Sequence, residues 1–210
     1  MLRVLIADDH AITREGLKRI LTDYPEPVHV GNAANAAQTL AMVRRNEWDM
    51  VLLDISLPDK SGLDVLKSIK KERPAVPVLV LSMYPMDQYA LRVLKAGGAG
   101  YLTKESAPEQ LLAAVRKVSE GGRFITPELA EHMARELAGG SPTLRHEGLS
   151  DREFEVLRLI ASGRTPTEIA AHLSLSVKTI STYRTRLLNK MRMRHNAELT
   201  HYAISNRLVF

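Results

Sequence analysis

Five side chains in this sequence fit one chemical task. Asp8 and Asp9 are adjacent, Asp54 closes the apolar run Met50-Val51-Leu52-Leu53, Ser82 closes a second such run and Lys104 follows a third. Two adjacent acids with a third carboxylate make a hard oxygen site suited to Mg²⁺, which binds through one or two carboxylates and keeps several waters. Carboxylates held close repel, and a divalent cation removes that penalty. Asp54 can then act as a nucleophile toward phosphorus, giving an aspartyl-phosphate. Lys104 would pair with the phosphoryl oxygens, and the Ser82 hydroxyl would hydrogen-bond another. None of the five resembles a general base for turnover of a small substrate, so the pattern reads as a phosphoacceptor and not as an enzyme. The simpler alternative makes Asp54 a loop aspartate capping the helix that starts near Gly62. It leaves the other four positions unexplained.

The five act together only if the fold gathers them. Leu2 to Ala7 is a strand-like apolar run ending at Asp8-Asp9, and Val28-His29-Val30 is a second short one. Met50 to Asp54 is the third, bounded by Pro58 and Gly62; Pro77 to Leu81 is the fourth, ending at Ser82; Gly100 to Thr103 is the fifth, ending at Lys104. Helical patterns separate them, with Leu17, Ile20 and Leu21, then Leu40 and Val43, then Leu63, Leu66 and Ile69, facing inward. A fourth helix spans Tyr89 to Lys95, and the pattern Ser106-Ala107-Pro108-Glu109 opens a fifth as a capping box. Five strands alternating with five helices require parallel pairing and right-handed crossovers. The expectation is an α/β doubly wound, five-stranded parallel sheet over residues 1–122. Sites in such sheets lie at the carboxyl ends of the strands. All five side chains fall there.

The rest of the chain differs in kind. Residues 123–148 read as a linker, with a short helix after Thr126-Pro127 and a flexible Gly139-Gly140-Ser141-Pro142. Residues 149–210 are helical throughout: capping boxes stand at Ser150-Asp151-Arg152-Glu153 and Thr165-Pro166-Thr167-Glu168, and Ser176 and Asn196 cap two more helices. Lys and Arg balance Asp and Glu in residues 1–122, at 16 against 15, but outnumber them 10 to 5 in residues 149–210. No acid occurs from Ile169 to Ala197, which points to a polyanion partner. On the helix from Val177 to about Arg192, Lys178, Ser181, Thr182, Thr185 and Asn189 share one face, with Ile180, Leu187 and Met191 opposite. Such a stripe of small donors suits a major groove, and the preceding helix with the turn Ser174-Leu175-Ser176 completes a helix-turn-helix. The chain has no cysteine, so disulfides and thiolate metal sites are excluded. Asp8 cuts the N-terminal apolar run short, and the expectation is a soluble cytoplasmic protein without a membrane partner.

Residues 1 to about 120 resemble the receiver domain of bacterial two-component response regulators. The resemblance rests on Asp8-Asp9, Asp54 with Pro58 and Gly62, Ser82, and Tyr101 with Lys104. It implies a flavodoxin-like fold and phosphoryl transfer from a sensor histidine kinase to Asp54. It also implies Mg²⁺ held by Asp9, Asp54 and the backbone carbonyl of Ser56, with Asp8 as the outer acid. Ser82 and Tyr101 would form a switch pair, the hydroxyl moving to the phosphate and the ring turning inward. Aspartate-nucleophile hydrolases use Asp-x-Asp, and here Ser56 stands in the second acid's place.

Residues 149–210 resemble the LuxR-type helix-turn-helix, through Leu149-Ser150-Asp151-Arg152-Glu153, Gly163, Glu168-Ile169-Ala170, Ser176-Val177-Lys178-Thr179-Ile180 and Lys190-Met191. The two parts together resemble the NarL/FixJ class of transcription regulators. That resemblance implies an all-α four-helix domain binding double-stranded DNA, as a homodimer when phosphorylated. Ser181, Thr182 and Thr185 would face bases, while Lys178, Tyr183, Arg184 and Arg186 would mostly hold phosphates. A further expectation is that the unphosphorylated receiver covers the Lys178–Asn189 face.

Overall fold

The structure, a computed structural model, describes residues 1–137, 145–206 and 208–209. It divides into two compact units, Met1–Ala138 and Gly139–Phe210. The segment Gly139-Gly140-Ser141-Pro142 lies outside the described residues.

In the first unit five strands alternate with helices: β1 Leu2–Ala7, α1 Ala11–Leu21, β2 Val28–Ala33, α2 Ala36–Arg45, β3 Met50–Asp54, α3 Gly62–Glu72, β4 Val78–Ser82, α4 Met86–Lys95, β5 Gly100–Thr103 and α5 Pro108–Ser119. All pairings are parallel and the spatial order is β2-β1-β3-β4-β5. Every residue of β3 and β4 is buried, as a parallel sheet covered on both faces requires. Asp54 is the last residue of β3 and Ser82 the last of β4, so register alone sets both at one rim.

The loop between β3 and α3 is held tightly. Gly62 N–H donates to the Ile55 carbonyl at 2.8 Å, and a Cβ on Gly62 would fall 2.2 Å from the Asp54 carbonyl oxygen. Only glycine lets the two backbones come this close. Asp59 in the same loop accepts from the N–H groups of Ala36 and Ala37, at 2.7 and 3.0 Å, and so caps the start of α2, which packs beside α3.

Two local readings of the first unit change. Helix α5 starts at Pro108 with Ala107 as its N-cap and no side-chain cap, because a proline at the first helical position sets the start. Ser106 instead shares a 3.1 Å hydrogen bond with Thr103. The segment read as a linker from residue 123 is partly built into the first unit. Phe124 N–H donates to the Ala99 carbonyl and forms a bridge beside β5, and helix α6 Pro127–Leu137 packs on α4 with Leu129 buried. Thr126 caps α6 through Leu129 N–H, and its hydroxyl reaches the Met86 sulfur at 3.2 Å.

The second unit begins with a 3-10 turn at Arg145–Gly148 and continues through α7 Asp151–Ala161, α8 Pro166–His172, α9 Val177–Met191 and α10 Asn196–Ser205. Both capping boxes form, at Ser150 with Glu153 and at Thr165 with Glu168, and Ser176 caps α9 through Thr179 N–H. Asn196 does not cap α10; the N-cap is His195, and the Asn196 oxygen accepts from Arg184 Nε at 2.7 Å. The core joins Phe154, Val156 and Leu157 of α7 with Ile169, Ile180, Leu187, Met191, Leu199 and Ala203. No helix among the described residues is long and apolar enough to cross a membrane.

Candidate functional site

The rim formed by β1, β3, β4 and β5 gathers the acids and the lysine as their spacing requires. Asp8 and Asp54 are almost completely buried, whereas Asp9 faces outward. Lys104 Nζ lies between them, 2.6 Å from Asp8 Oδ2 and 2.7 Å from Asp54 Oδ2. Asp54 Oδ1 accepts from Ser56 N–H at 3.1 Å. Its Oδ2 accepts the aligned hydrogen bond from Lys104. Asp8 Oδ2 is buried and, despite the close ammonium, accepts no aligned hydrogen bond. Arg14 on α1 donates to the Asp8 backbone carbonyl at 2.6 Å and fixes the turn that carries both acids.

Electrostatics leave the pocket short of positive charge. Burial pushes the Asp54 carboxyl above the usual carboxylate range; Lys104 and the Ser56 N–H pull it down without overcoming burial, and Asp8 adds to the rise. Burial works the opposite way on Lys104, yet Asp54 and Asp8 hold its ammonium charged to above its ordinary value. Two buried carboxylates thus share one lysine, and Asp9 adds a third negative charge beside them. The surplus negative charge and the cluster of hard carboxylate oxygens fit a bound divalent cation. One donor atom each from Asp8, Asp9, His10 and Asp54 lies within 4.8 Å of the others.

The proposed switch residues are linked through the backbone of one residue, Tyr84, that the sequence did not reveal. Ser82 Oγ accepts from Tyr84 N–H at 3.1 Å, and Tyr101 OH donates to the Tyr84 carbonyl at 2.6 Å. Ser82 and Tyr101 are both fully buried, so the Tyr101 ring already points inward. Tyr84 in turn stacks on Tyr89 of α4 with ring centroids 5.1 Å apart. Lys104 N–H donates to the Ser82 carbonyl, which ties the end of β5 to the end of β4.

In the second unit α9 presents Lys178, Ser181, Thr182, Thr185, Arg186 and Asn189 to solvent, while Tyr183 and Arg184 are half-buried. Ile180, Leu187, Leu188 and Met191 face the core. The hydroxyls of Ser181, Thr182 and Thr185 each donate to the carbonyl one turn earlier, at 3.0, 3.1 and 3.0 Å, so they are satisfied without a ligand. Arg184 is spent on Asn196, and Lys190 on Glu153 at 2.7 Å. Burial opposes the ionised Glu153, but Lys190 and Ser150 hold its carboxyl below the usual range. The basic stretch therefore splits into cations that brace the domain and cations, Lys178 and Arg186, with no ion pair among the described residues. Ser174, in the turn between α8 and α9, adopts a left-handed φ of 51°.

These two sites define a class. Residues 4–116 match the family model of the response regulator receiver domain, and residues 147–203 that of the bacterial regulatory proteins of the luxR family. The chain belongs to the response regulators that join a receiver domain to a luxR-type DNA-binding domain. It is 34% identical over 209 residues to the response regulator UvrY of Escherichia coli strain K12, covering 99% of this chain and 96% of that protein. It is 33% identical over 215 residues to the oxygen regulatory protein NreC of Staphylococcus carnosus, covering 99% of each. Among solved structures, RcsB from Salmonella enterica serovar Typhimurium, bound to promoter rprA in the presence of the phosphomimetic BeF3-, is similar with a TM-score of 0.67 and 30% identity. That match covers 98% of this chain and all of the other.

Proposed function

We propose that Asp54 accepts a phosphoryl group from a histidine kinase and that this controls DNA binding through the exposed face of α9. The observation that carries the reading is the buried Asp54 carboxylate at the end of β3 with Lys104 Nζ at 2.7 Å. An Asp54 oxygen attacks phosphorus and forms the new O–P bond. The bond from phosphorus to the kinase imidazole nitrogen breaks, and its electron pair stays on that nitrogen. Lys104 neutralises charge on the transferred oxygens. Asp8, Asp9, Asp54 and the Ser56 carbonyl would hold Mg²⁺, which supplies positive charge against which the acids can approach a phosphoryl group. Ser82, drawn to the new phosphoryl oxygen, gives up the Tyr84 N–H, while Tyr101 keeps hold of the Tyr84 carbonyl. The backbone leading into α4 then has a new preferred position. Phosphorylation acts only by favouring one such state over the other.

The same reading makes the chain a cytoplasmic regulator and not an enzyme of small substrates. It acts on double-stranded DNA as a homodimer, with residues 1–122 as receiver and 149–210 as the DNA-binding part. Ser181, Thr182 and Thr185 face bases, their hydroxyls turning from the α9 carbonyls to do so. Lys178, Tyr183 and Arg186 hold phosphates, and Arg184 reaches one only by leaving Asn196. The RcsB complex with promoter DNA supports this mode by similarity. The test is phosphate uptake from acetyl phosphate with Mg²⁺: Asp54→Asn should abolish the acid-labile label, and uptake at the wild-type level would overturn the assignment.

A further inference from the structure

His10 stands at the mouth of the acid pocket and belongs to none of the roles above. Its backbone N–H donates to Asp8 Oδ1 at 2.8 Å, which turns the chain so that the imidazole faces the acids. The ring nitrogen Nδ1 lies 2.7 Å from Asp9 Oδ1 and 3.4 Å from Asp8 Oδ1. The side chain is 67% exposed, so packing does not require it there. Adjacent ligands of a six-coordinate ion with bonds of about 2.1 Å sit roughly 3 Å apart. The two measured separations bracket that spacing. With Asp8, Asp9 and Asp54 the pocket offers three carboxylates and one imidazole rather than oxygen alone.

Resting on the reading that this pocket holds a divalent cation, we propose that His10 is a nitrogen ligand and shifts the pocket's preference from Mg²⁺ toward first-row transition cations, Mn²⁺ among them. Mg²⁺ favours oxygen ligands, whereas imidazole suits the transition series. An open, exposed ring beside a buried carboxylate pair lets the chain adopt the mixed set without disturbing the core.

The test uses the full chain and the metals alone. Calorimetric titration with Mn²⁺ and with Mg²⁺ gives an affinity ratio, and electron spin echo spectra of the Mn²⁺ form report a directly bound nitrogen. The ratio should fall on the order of 10-fold in His10→Ala, and the nitrogen modulation should disappear. His10→Asn keeps a hydrogen-bond donor for Asp9 and removes the imidazole; it should behave like His10→Ala. A wild-type ratio in His10→Asn, or nitrogen modulation that persists in His10→Ala, overturns the ligand role while leaving the divalent site intact. If the wild-type chain binds neither metal, the divalent site itself fails, and this proposal with it.

Discussion

The two sites of this chain handle charge in opposite ways. In the acid pocket most of the charges are buried, the acids outnumber their counter-charge, and the groups come from three strand ends that are distant in sequence. On the outer face of α9 the charges of Lys178 and Arg186 are exposed, without an ion pair among the described residues, and set by the repeat of one helix. A pocket of the first kind responds to single changes in an all-or-none manner, because each group is held in one place by partners that it shares. A face of the second kind responds in small, additive steps, because water stands in for any one contact. The pocket suits a switch, and the face suits graded recognition of a polyanion.

The largest effect should come from a position with no charge at all. In Gly62→Ala the new Cβ meets the Asp54 carbonyl and Ile55 Cα, at 2.2 and 2.6 Å, and both are backbone atoms that cannot yield cheaply. The cost should be about 2–3 kcal/mol in urea denaturation, with phosphate uptake reduced as Asp54 shifts. A change below about 0.5 kcal/mol would mean that the loop is not tight and that the pocket is less all-or-none than described.

Asp54→Asn should move stability the other way. Because the folded carboxyl titrates above its unfolded value of 3.8, the wild type is penalised once that group must ionise. Below that pH the carboxyl is protonated in both states and the penalty is absent; it grows as pH rises through the folded value. In chelator, Asp54→Asn should be more stable than the wild type at neutral pH, and the gap should close toward pH 3. A gap that widens on acidification would reverse the sign assigned to Asp54.

On α9 the effects should be smaller. Arg186→Ala should weaken specific and non-specific DNA about equally and lower the slope of log affinity against log salt by about 1. Loss of preference for one base position instead would place Arg186 on a base edge and make the face less graded than proposed.

Much of the pocket was legible because Asp8, Asp54, Ser82 and Lys104 each stand where an apolar run stops, and a parallel sheet brings such ends to one rim. The exposed stripe of α9 was legible because helical period alone places it. What escaped were contacts between elements. Asp59 capping α2 depends on two segments distant in sequence meeting, and no local pattern announces it. Tyr84 joins Ser82 to Tyr101 through backbone atoms, so its side-chain type carries no sign of the role. Lys190 and Arg184 looked equivalent to Lys178 and Arg186 until Glu153 and Asn196 claimed them. The docking of α6 on α4 was masked by a composition that also fits a linker.

In the proposed mechanism, chemistry in the pocket sets the affinity of the face. The direct measurement is the DNA affinity of the full chain at one salt concentration, with and without acetyl phosphate and Mg²⁺, for the wild type and Asp54→Asn. The expected result is tighter specific binding by the phosphorylated wild type, with Asp54→Asn held at the unphosphorylated level under both conditions. Equal affinity of the wild type in the two conditions, with phosphate demonstrably on Asp54, would contradict it.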